Sequence, residues 1–270
     1  MPKLVDVLTC HHVNPYKDTL TIPPYLFEKM LYEISKKCNF ISYQYFKDFI
    51  FENRKLPAKP VFLTLDDGYL DNFIYAYPVL KKLNIPAVIF AVTGFIRTSD
   101  NIRDKIPVFK SHKELEQNPD EKYYINTAEM KEMESDDLID IESHTVTHFT
   151  CRNKSYKEVH AELTDSLTFI KTHTRQKKYY GFCWPKGVFD ETSIKAIKDS
   201  SYSFAFSTVD GAFHKGDDLF AIKRIDCSSW NQNENDYLSR IKRKIFIYSN
   251  PMISKFYSNF REYRIKKRRE

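Results

Sequence analysis

The 270-residue sequence contains no run approaching the roughly 18 uninterrupted apolar residues of a membrane-spanning helix, so no such span is expected. Its first residues, "MPKLVDVLTCHHVNP", offer only a short apolar stretch broken by an aspartate and followed by two histidines. The long apolar segment and small-residue cleavage site of a secretory leader are missing, and a cytoplasmic location is the expectation. Cysteine is sparse and unpaired in pattern: Cys10, Cys38, Cys151, Cys183 and Cys227 are odd in number and form no C-x-x-C, which argues against a disulfide framework. There is also no internal repeat, no low-complexity tract and no linker that would split the body in two. What is present is enough to bury a core, with 42% apolar and 15% aromatic residues, and a disordered chain is excluded.

The net charge of +6 is unevenly placed. From Arg240 to Glu270 eleven basic residues face only Glu262 and Glu270, a surplus of nine, so everything before carries −3. The reading is therefore of two parts, a catalytic body over 1–230 and a basic tail over 231–270. After Pro251 the tail places Met252, Ile253, Phe256, Tyr257, Phe260 and Tyr263 at spacings of three and four, with Lys255, Arg261 and Arg264 between them. Such a basic amphipathic helix suits the interface of an anionic membrane; a helix packed on the body with a solvated basic end, or a nucleic-acid patch, stays open beside it, with nucleic acid the less favoured partner.

Within the body, short β-branched runs alternate with helical patterns. Strands are expected over 4–9, 61–65, 87–92, 138–143, 179–183, 204–207 and 221–225, and helices over 25–38, 71–83, 127–134, 156–171 and 191–199. About seven β-then-α units argue for a parallel sheet wrapped by helices and suggest a barrel. The segment 97–126 interrupts the rhythm as a polar insertion.

That rhythm gives an address to "TLDDG". Asp66 and Asp67 stand where a buried strand ends, the end at which parallel α/β folds bind ligands. A later strand ends at "ESHTVTH", where a turn can aim His144 and His148 at one point. Two histidines and one carboxylate form a three-ligand site with an open position, the pattern of a catalytic metal. On this reading Asp67, His144 and His148 hold a divalent cation, and Asp66 is left free as a base. Aspartates that merely cap the next helix are the plainer alternative, and two histidines with a carboxylate would also suit a non-haem iron enzyme.

"TLDDG" and "HTVTH" resemble the T-F-D-D-G and H-[ST]-x-x-H motifs of the polysaccharide deacetylases, the nodulation-factor deacetylase homology group of carbohydrate esterase family 4, over residues 5–225. The resemblance implies a distorted (β/α)7 barrel, a metal that is usually zinc, Asp66 as catalytic base, and Asp67, His144 and His148 as ligands. It also implies removal of an N-acetyl or similar acyl group from an amino sugar. With a cytoplasmic location, the substrate would be an N-acetylated sugar or lipid-linked glycan of surface polysaccharide biosynthesis.

There are departures. The family's R-x-P-Y segment corresponds to "FCWPKG", with Cys183 in the arginine's place and Lys186 in the tyrosine's. The backbone N–H of Lys186 can still serve the oxyanion, and Arg224 is a candidate replacement for the arginine. The late L-x-H histidine has no match; "TCHHVNP" instead resembles the Y-H-x-V segment of the circularly permuted branch, which makes His11 the general acid. His12, its neighbour on a strand, would face the other way. Tyr69, Trp184 and Phe189 are candidate sugar platforms or plain core. The absent arginine keeps a further alternative in view, a deacetylase-like protein that binds sugar without turning it over.

Overall fold

The computed structural model describes residues 4–228, 233–250 and 253–254. β1 (Leu4–Cys10) is followed by the short pair β2 (His12–Val13) and β3 (Thr21–Ile22), then α1 (Pro24–Ser35), β4 (Asn39–Phe40), α2 (Tyr43–Phe51) and β5 (Pro60–Asp67). A π-helical turn (Asn72–Ala76) runs into α3 (Tyr77–Leu83), and β6 (Ala87–Ala91) leads through α4 (His112–Gln117) and α5 (Thr127–Glu134) to β7 (Ile139–Ser143). The chain continues with α6 (Tyr156–His173), β8 (Tyr180–Cys183), α7 (Glu191–Asp199), β9 (Tyr202–Asp210), β10 (Phe213–His214), β11 (Ile222–Asp226) and α8 (Glu234–Tyr248).

Each strand of the ring β1, β5, β6, β7, β8, β9 and β11 pairs in parallel with the next, and β11 pairs back to β1. This is the seven-stranded barrel that the alternating pattern and the resemblance imply. Its distortion is local: β7 and β8 share one registered pair, Ser143 with Phe182, and the register shifts along β8–β9 and β9–β11.

Successive strand side chains point to opposite faces, and the two faces have different jobs. Leu8, Leu63, Leu65, Ile89, Ile141 and Phe182 look outward, under the helices. Val5, Val7, Phe62, Val88, Phe90, Phe204 and Phe206 fill the lumen. α2 plugs the N-terminal end of that lumen; Phe46 stacks on Phe62 at 4.6 Å, beside Tyr43 and Phe49. This helix is not expected from the sequence, because its aromatic residues favour strands. It forms because Ser42 caps it, accepting from Tyr45 N, and because those rings close the barrel.

α8 packs Tyr237, Leu238, Ile241, Ile245 and Tyr248 inward, and Tyr237 Oη donates to Cys227 O at 2.9 Å. Lys242 pairs with Glu33 of α1 at 2.8 Å and Lys244 with Asp210 at 3.2 Å. The sequence-based boundary at 230/231 thus falls just ahead of a helix that belongs to the barrel's outer layer. The amphipathic stretch after Pro251 lies, apart from Ile253 and Ser254, outside the described residues.

Candidate metal and catalytic site

The inward alternation delivers most of the site. On β5 the lumen positions are Phe62, Thr64 and Asp66; the register continues on β7 to His144, on β8 to Cys183, on β11 to Arg224 and past β1 to His11. Asp67, one residue beyond Asp66, joins them because the strand ends there with a positive φ of 73°. Gly68 follows at φ 70°, and a Cβ on it would lie 2.8 Å from Ala91 Cβ, so the glycine of the motif is required twice over.

The histidine turn is held from two sides. Thr93 N and Gly94 N donate to Thr145 O and Val146 O at 3.0 and 2.8 Å. From α6, Glu162 accepts from Val146 N (2.7 Å), Thr147 N (3.1 Å) and Thr147 Oγ1 (2.8 Å). Thr145 and His148 adopt φ of 67° and 57°, as Lys186 does on the opposite loop at 57°. Together with Asp67, four non-glycine residues in the left-handed region converge on one point. Each costs on the order of 1–3 kcal/mol, and such outliers gather where function over-determines them.

At that point Asp67 Oδ1 lies 3.4 Å from His144 Nε2 and 3.4 Å from His148 Nε2, buried and with no hydrogen-bond partner. His144 Nδ1 meets Cys183 O at 2.7 Å. A carbonyl only accepts, so Nδ1 carries the proton and Nε2 faces Asp67. Burial presses against charge at all three groups, yet the imidazoles of His144 and His148, each 3.4 Å away, carry Asp67 well below the usual carboxylate range. At His144 burial is outweighed by Cys183, Asp67 and Asp66, and its direction is upward. His148 is pushed down to about 4, chiefly by burial, and is a neutral ligand near pH 7. A buried, partnerless carboxylate oxygen between two imidazole nitrogens is a cradle for a cation, and the one-oxygen, two-nitrogen donor set fits a divalent metal.

Asp66, His144 and Cys183 also converge, but that space already holds a cation. Arg224 donates Nη1 to Asp66 Oδ1 and Nη2 to Asp66 Oδ2, both at 2.7 Å, and Nη2 approaches Cys183 Sγ at 3.1 Å. Its Nε donates to Ser207 O at 2.9 Å and its Nη1 also to Thr64 Oγ1 at 3.1 Å. Burial alone would raise Asp66; the guanidinium overcomes it and holds the carboxyl below its ordinary value. The Cys183 thiol is pushed up, mainly by burial, and stays protonated.

His11 Nε2 stands 3.8 Å from Asp66 Oδ2, and its Nδ1 meets Ser228 Oγ at 2.9 Å. His12 faces away, with Nδ1 2.6 Å from Asp71 Oδ2 and its ring stacked on Tyr69 at 3.7 Å. Trp184 is core: it is fully buried and donates Nε1 to Phe220 O at 2.8 Å. Phe189 stacks on it at 5.1 Å, and of the three aromatic candidates Tyr69 alone lines the pocket beside the metal cradle. That pocket, ≈120 Å³, runs from Asp67 and His148 past Tyr124 to Glu116 and Lys186. Glu116, His112, Glu162 and Ser228 were not singled out by sequence; they sit in stretches without motif or period, and only the folded chain shows what they touch.

Comparison with known proteins places this geometry. The family model for polysaccharide deacetylase matches residues 53–205, more than half of the chain. YxkH of Bacillus subtilis, whose name assigns it to the same family, is 28% identical over 177 residues, covering 66% of this chain and 54% of that protein. The poly-beta-1,6-N-acetyl-D-glucosamine N-deacetylase of Staphylococcus aureus is 27% identical over 193 residues, covering 66% of this chain and 59% of its own length. The chain thus spans just over half the length of these relatives. Among solved structures, IcaB from Ammonifex degensii superposes with a TM-score of 0.71 at 20% identity, over 89% of this chain and 97% of that one. Streptococcus pyogenes deacetylase PplD in complex with acetate gives 0.70 at 20% identity, over 89% and 99%. The family match takes in Asp66, Asp67, His144, His148 and Lys186 and stops short of His11 and Arg224 at either end, and on it the chain belongs to the polysaccharide deacetylase family.

Proposed function

We propose that the chain is a metal-dependent carbohydrate N-deacetylase that hydrolyses the acylamino group of an N-acetylated amino sugar in a glycan or lipid-linked glycan of surface polysaccharide biosynthesis. The observation that carries this reading is the adjacency of two carboxylates with opposite surroundings. Asp67 is open toward two imidazoles, whereas Asp66 is clamped by a guanidinium and faces a third imidazole. Asp67, His144 and His148 would hold the ion, with zinc the first candidate. When bound, a divalent ion polarises the acyl carbonyl and lowers the pKa of a coordinated water toward roughly 7.

The protein's own residues supply the proton traffic. Asp66, kept ionised by Arg224, accepts the proton of the attacking water at its carboxylate. The backbone N–H of Lys186, on the pocket wall opposite Asp67, is the candidate donor to the oxyanion. An amine leaves only once protonated, and His11 Nε2, 3.8 Å from Asp66 Oδ2, is the candidate to deliver that proton. The products are a free amino sugar and acetate. The guanidinium of Arg224 on Asp66 supports turnover over a chain that binds sugar without hydrolysing it.

The S. aureus relative's name specifies poly-beta-1,6-N-acetyl-D-glucosamine, which makes β-1,6-linked N-acetylglucosamine the first substrate to try. The surplus of basic residues in the tail supports a peripheral place for the enzyme on the anionic inner leaflet of the membrane. The deciding experiment incubates zinc-loaded protein with free, oligomeric and lipid-linked N-acetylated sugars and measures acetate. Sugar binding by metal-loaded protein with no acetate released from any of them would sink the proposal.

A further inference from the structure

The segment 97–126, polar and without motif in the sequence, crosses the mouth of the barrel. At one end it meets the loop after β1: the rings of Phe109 and Tyr16 lie 4.7 Å apart, and His112 N donates to the Asp18 carboxylate. In its middle His112 Nδ1 pairs with Tyr69 Oη at 3.1 Å, over the aspartate turn. At the far end Glu116 Oε1 pairs with Lys186 Nζ at 2.6 Å, on the loop after β8. In the ring of seven strands β1 and β8 stand on opposite sides, so the segment spans the mouth and does not merely border it. Its base is fastened: Arg103 donates Nε and Nη2 to both oxygens of Glu129 at 2.8 and 2.6 Å and Nη2 also to Tyr124 O at 2.6 Å. α4 carries a capping box from Ser111 and Glu114.

A catalyst that works inside a polymer needs a groove leaving the reactive centre in two directions. Here His112, Leu115, Glu116 and Pro119 wall one of them, and the remaining space beside Asp67 and His148 is ≈120 Å³, below the roughly 300–1,000 Å³ of pockets that enclose a whole drug-sized ligand. On the strength of the deacetylase reading, and resting on it, we propose that this chain deacylates the terminal residue of a glycan and not residues within one, with Glu116 and the α4 wall as the determinants of that choice.

The test uses the full chain loaded with zinc and β-1,6- and β-1,4-linked N-acetylglucosamine hexamers and trimers, with products sequenced by tandem mass spectrometry. One acetyl group lost per chain, always from an end residue, and turnover per mole of chain equal within about twofold for the two lengths, supports the inference. Internal deacetylation, or turnover that rises with length, overturns it. Glu116→Arg, which sets two cations against each other across the mouth, should let internal residues be processed at least tenfold more than in the wild type; an unchanged product pattern in this variant, with fold retained, counts against α4 as the determinant. If the variant does not fold, the wild-type product map decides alone. No acetate from any oligomer sinks the deacetylase reading and this one with it, an outcome distinct from internal processing.

Discussion

At the scale of single residues, the two adjacent aspartates are expected to separate cleanly. Asp67→Ala, His144→Ala and His148→Ala should each lose bound zinc together with activity, whereas Asp66→Asn should keep the metal and lose turnover by the roughly 10²–10⁴-fold of a missing base. Metal content by mass spectrometry alongside acetate release decides it; metal lost from Asp66→Asn would mean that the assignment is reversed. Arg224 gives a second prediction. Its five polar contacts converge on Asp66 and the strand ends around it, so Arg224→Ala should lower kcat and raise the lower limb of the pH profile, since the base loses the cation that keeps it ionised. Cys183 lies beside the same carboxylate, its Sγ 3.6 Å from Asp66 Oδ2. Cys183→Arg placed on Arg224→Ala should therefore recover at least part of kcat by returning a guanidinium to Asp66 from β8. If the double variant is folded, binds zinc and stays at the single variant's rate with an unshifted profile, the role assigned to Arg224 is wrong.

At the scale of elements, the strand ends and both motifs were legible because each is local: a buried run, a break, then polar residues within five positions. What could not be read is whatever closure of the barrel brings together. Arg224, in sequence no more than a candidate replacement for the motif arginine, reaches Asp66 across 158 residues, and the period-2 alternation of two distant strands puts both in the lumen. α2 escaped notice because its aromatics mimic a strand, and α4 because its six residues, five of them polar, carry no period. The helix expected over 71–83 begins with a π-helical turn, Asn72–Ala76, beside the site, a feature with no simple sequence signature. Glu162 is the clearest case of an element acting through another, since α6 uses it to hold two backbone N–H groups and a hydroxyl of the histidine turn. Glu162→Ala should leave the fold intact and weaken zinc binding by about 10–100-fold, as expected when the support of a ligand is lost. Competition with a chromophoric chelator would show it; an unchanged affinity would mean that Thr93 and Gly94 suffice to hold the turn.

At the scale of the whole molecule, two features of different character matter, the basic end and the buried acids. On α8 the exposed residues include Lys242, Arg243 and Phe246, and the sequence beyond is basic and aromatic. Full-length protein should therefore co-sediment with phosphatidylserine vesicles, less so at high salt, since each surface charge is worth about 1 kcal/mol. Removal of residues 251–270 should abolish this while zinc stays bound; equal sedimentation of both forms would refute the membrane role of the tail.

The buried acids set the pH dependence of stability. Glu142 points into the lumen from β7, fully buried, with both oxygens unpartnered and Lys177 Nζ 3.7 Å away. Burial, only partly offset by Lys177 and Tyr43, pushes its carboxyl from 4.5 up to about 7. Asp6, on the outer face of β1 and bonded by Ser249, is raised from 3.8 to about 7 for the same first reason. Between roughly pH 4.5 and 7 the folded chain keeps protons that the unfolded chain has released, so stability is greatest at the acid side of this window and falls as pH rises through it. Groups with lowered folded values act the other way: Asp66 and Asp67 only below the ordinary carboxylate range, and His148, held down to about 4, between about pH 4 and 6.5 in the metal-free protein. At about 1.4 kcal/mol per pH unit the loss for Glu142 is on the order of 2–3 kcal/mol, and at roughly 2–4 °C per kcal/mol the wild-type Tm should fall by several degrees relative to that of Glu142→Gln from pH 5 to pH 8. Glu142→Gln keeps the shape and removes the ionisation, so it should melt higher than the wild type at pH 8, and addition of Asp6→Asn should widen that difference. A Tm difference between the double variant and the wild type that does not widen as pH rises from 5 to 8 would show that these two acids are charged in the folded chain and matched by partners within it.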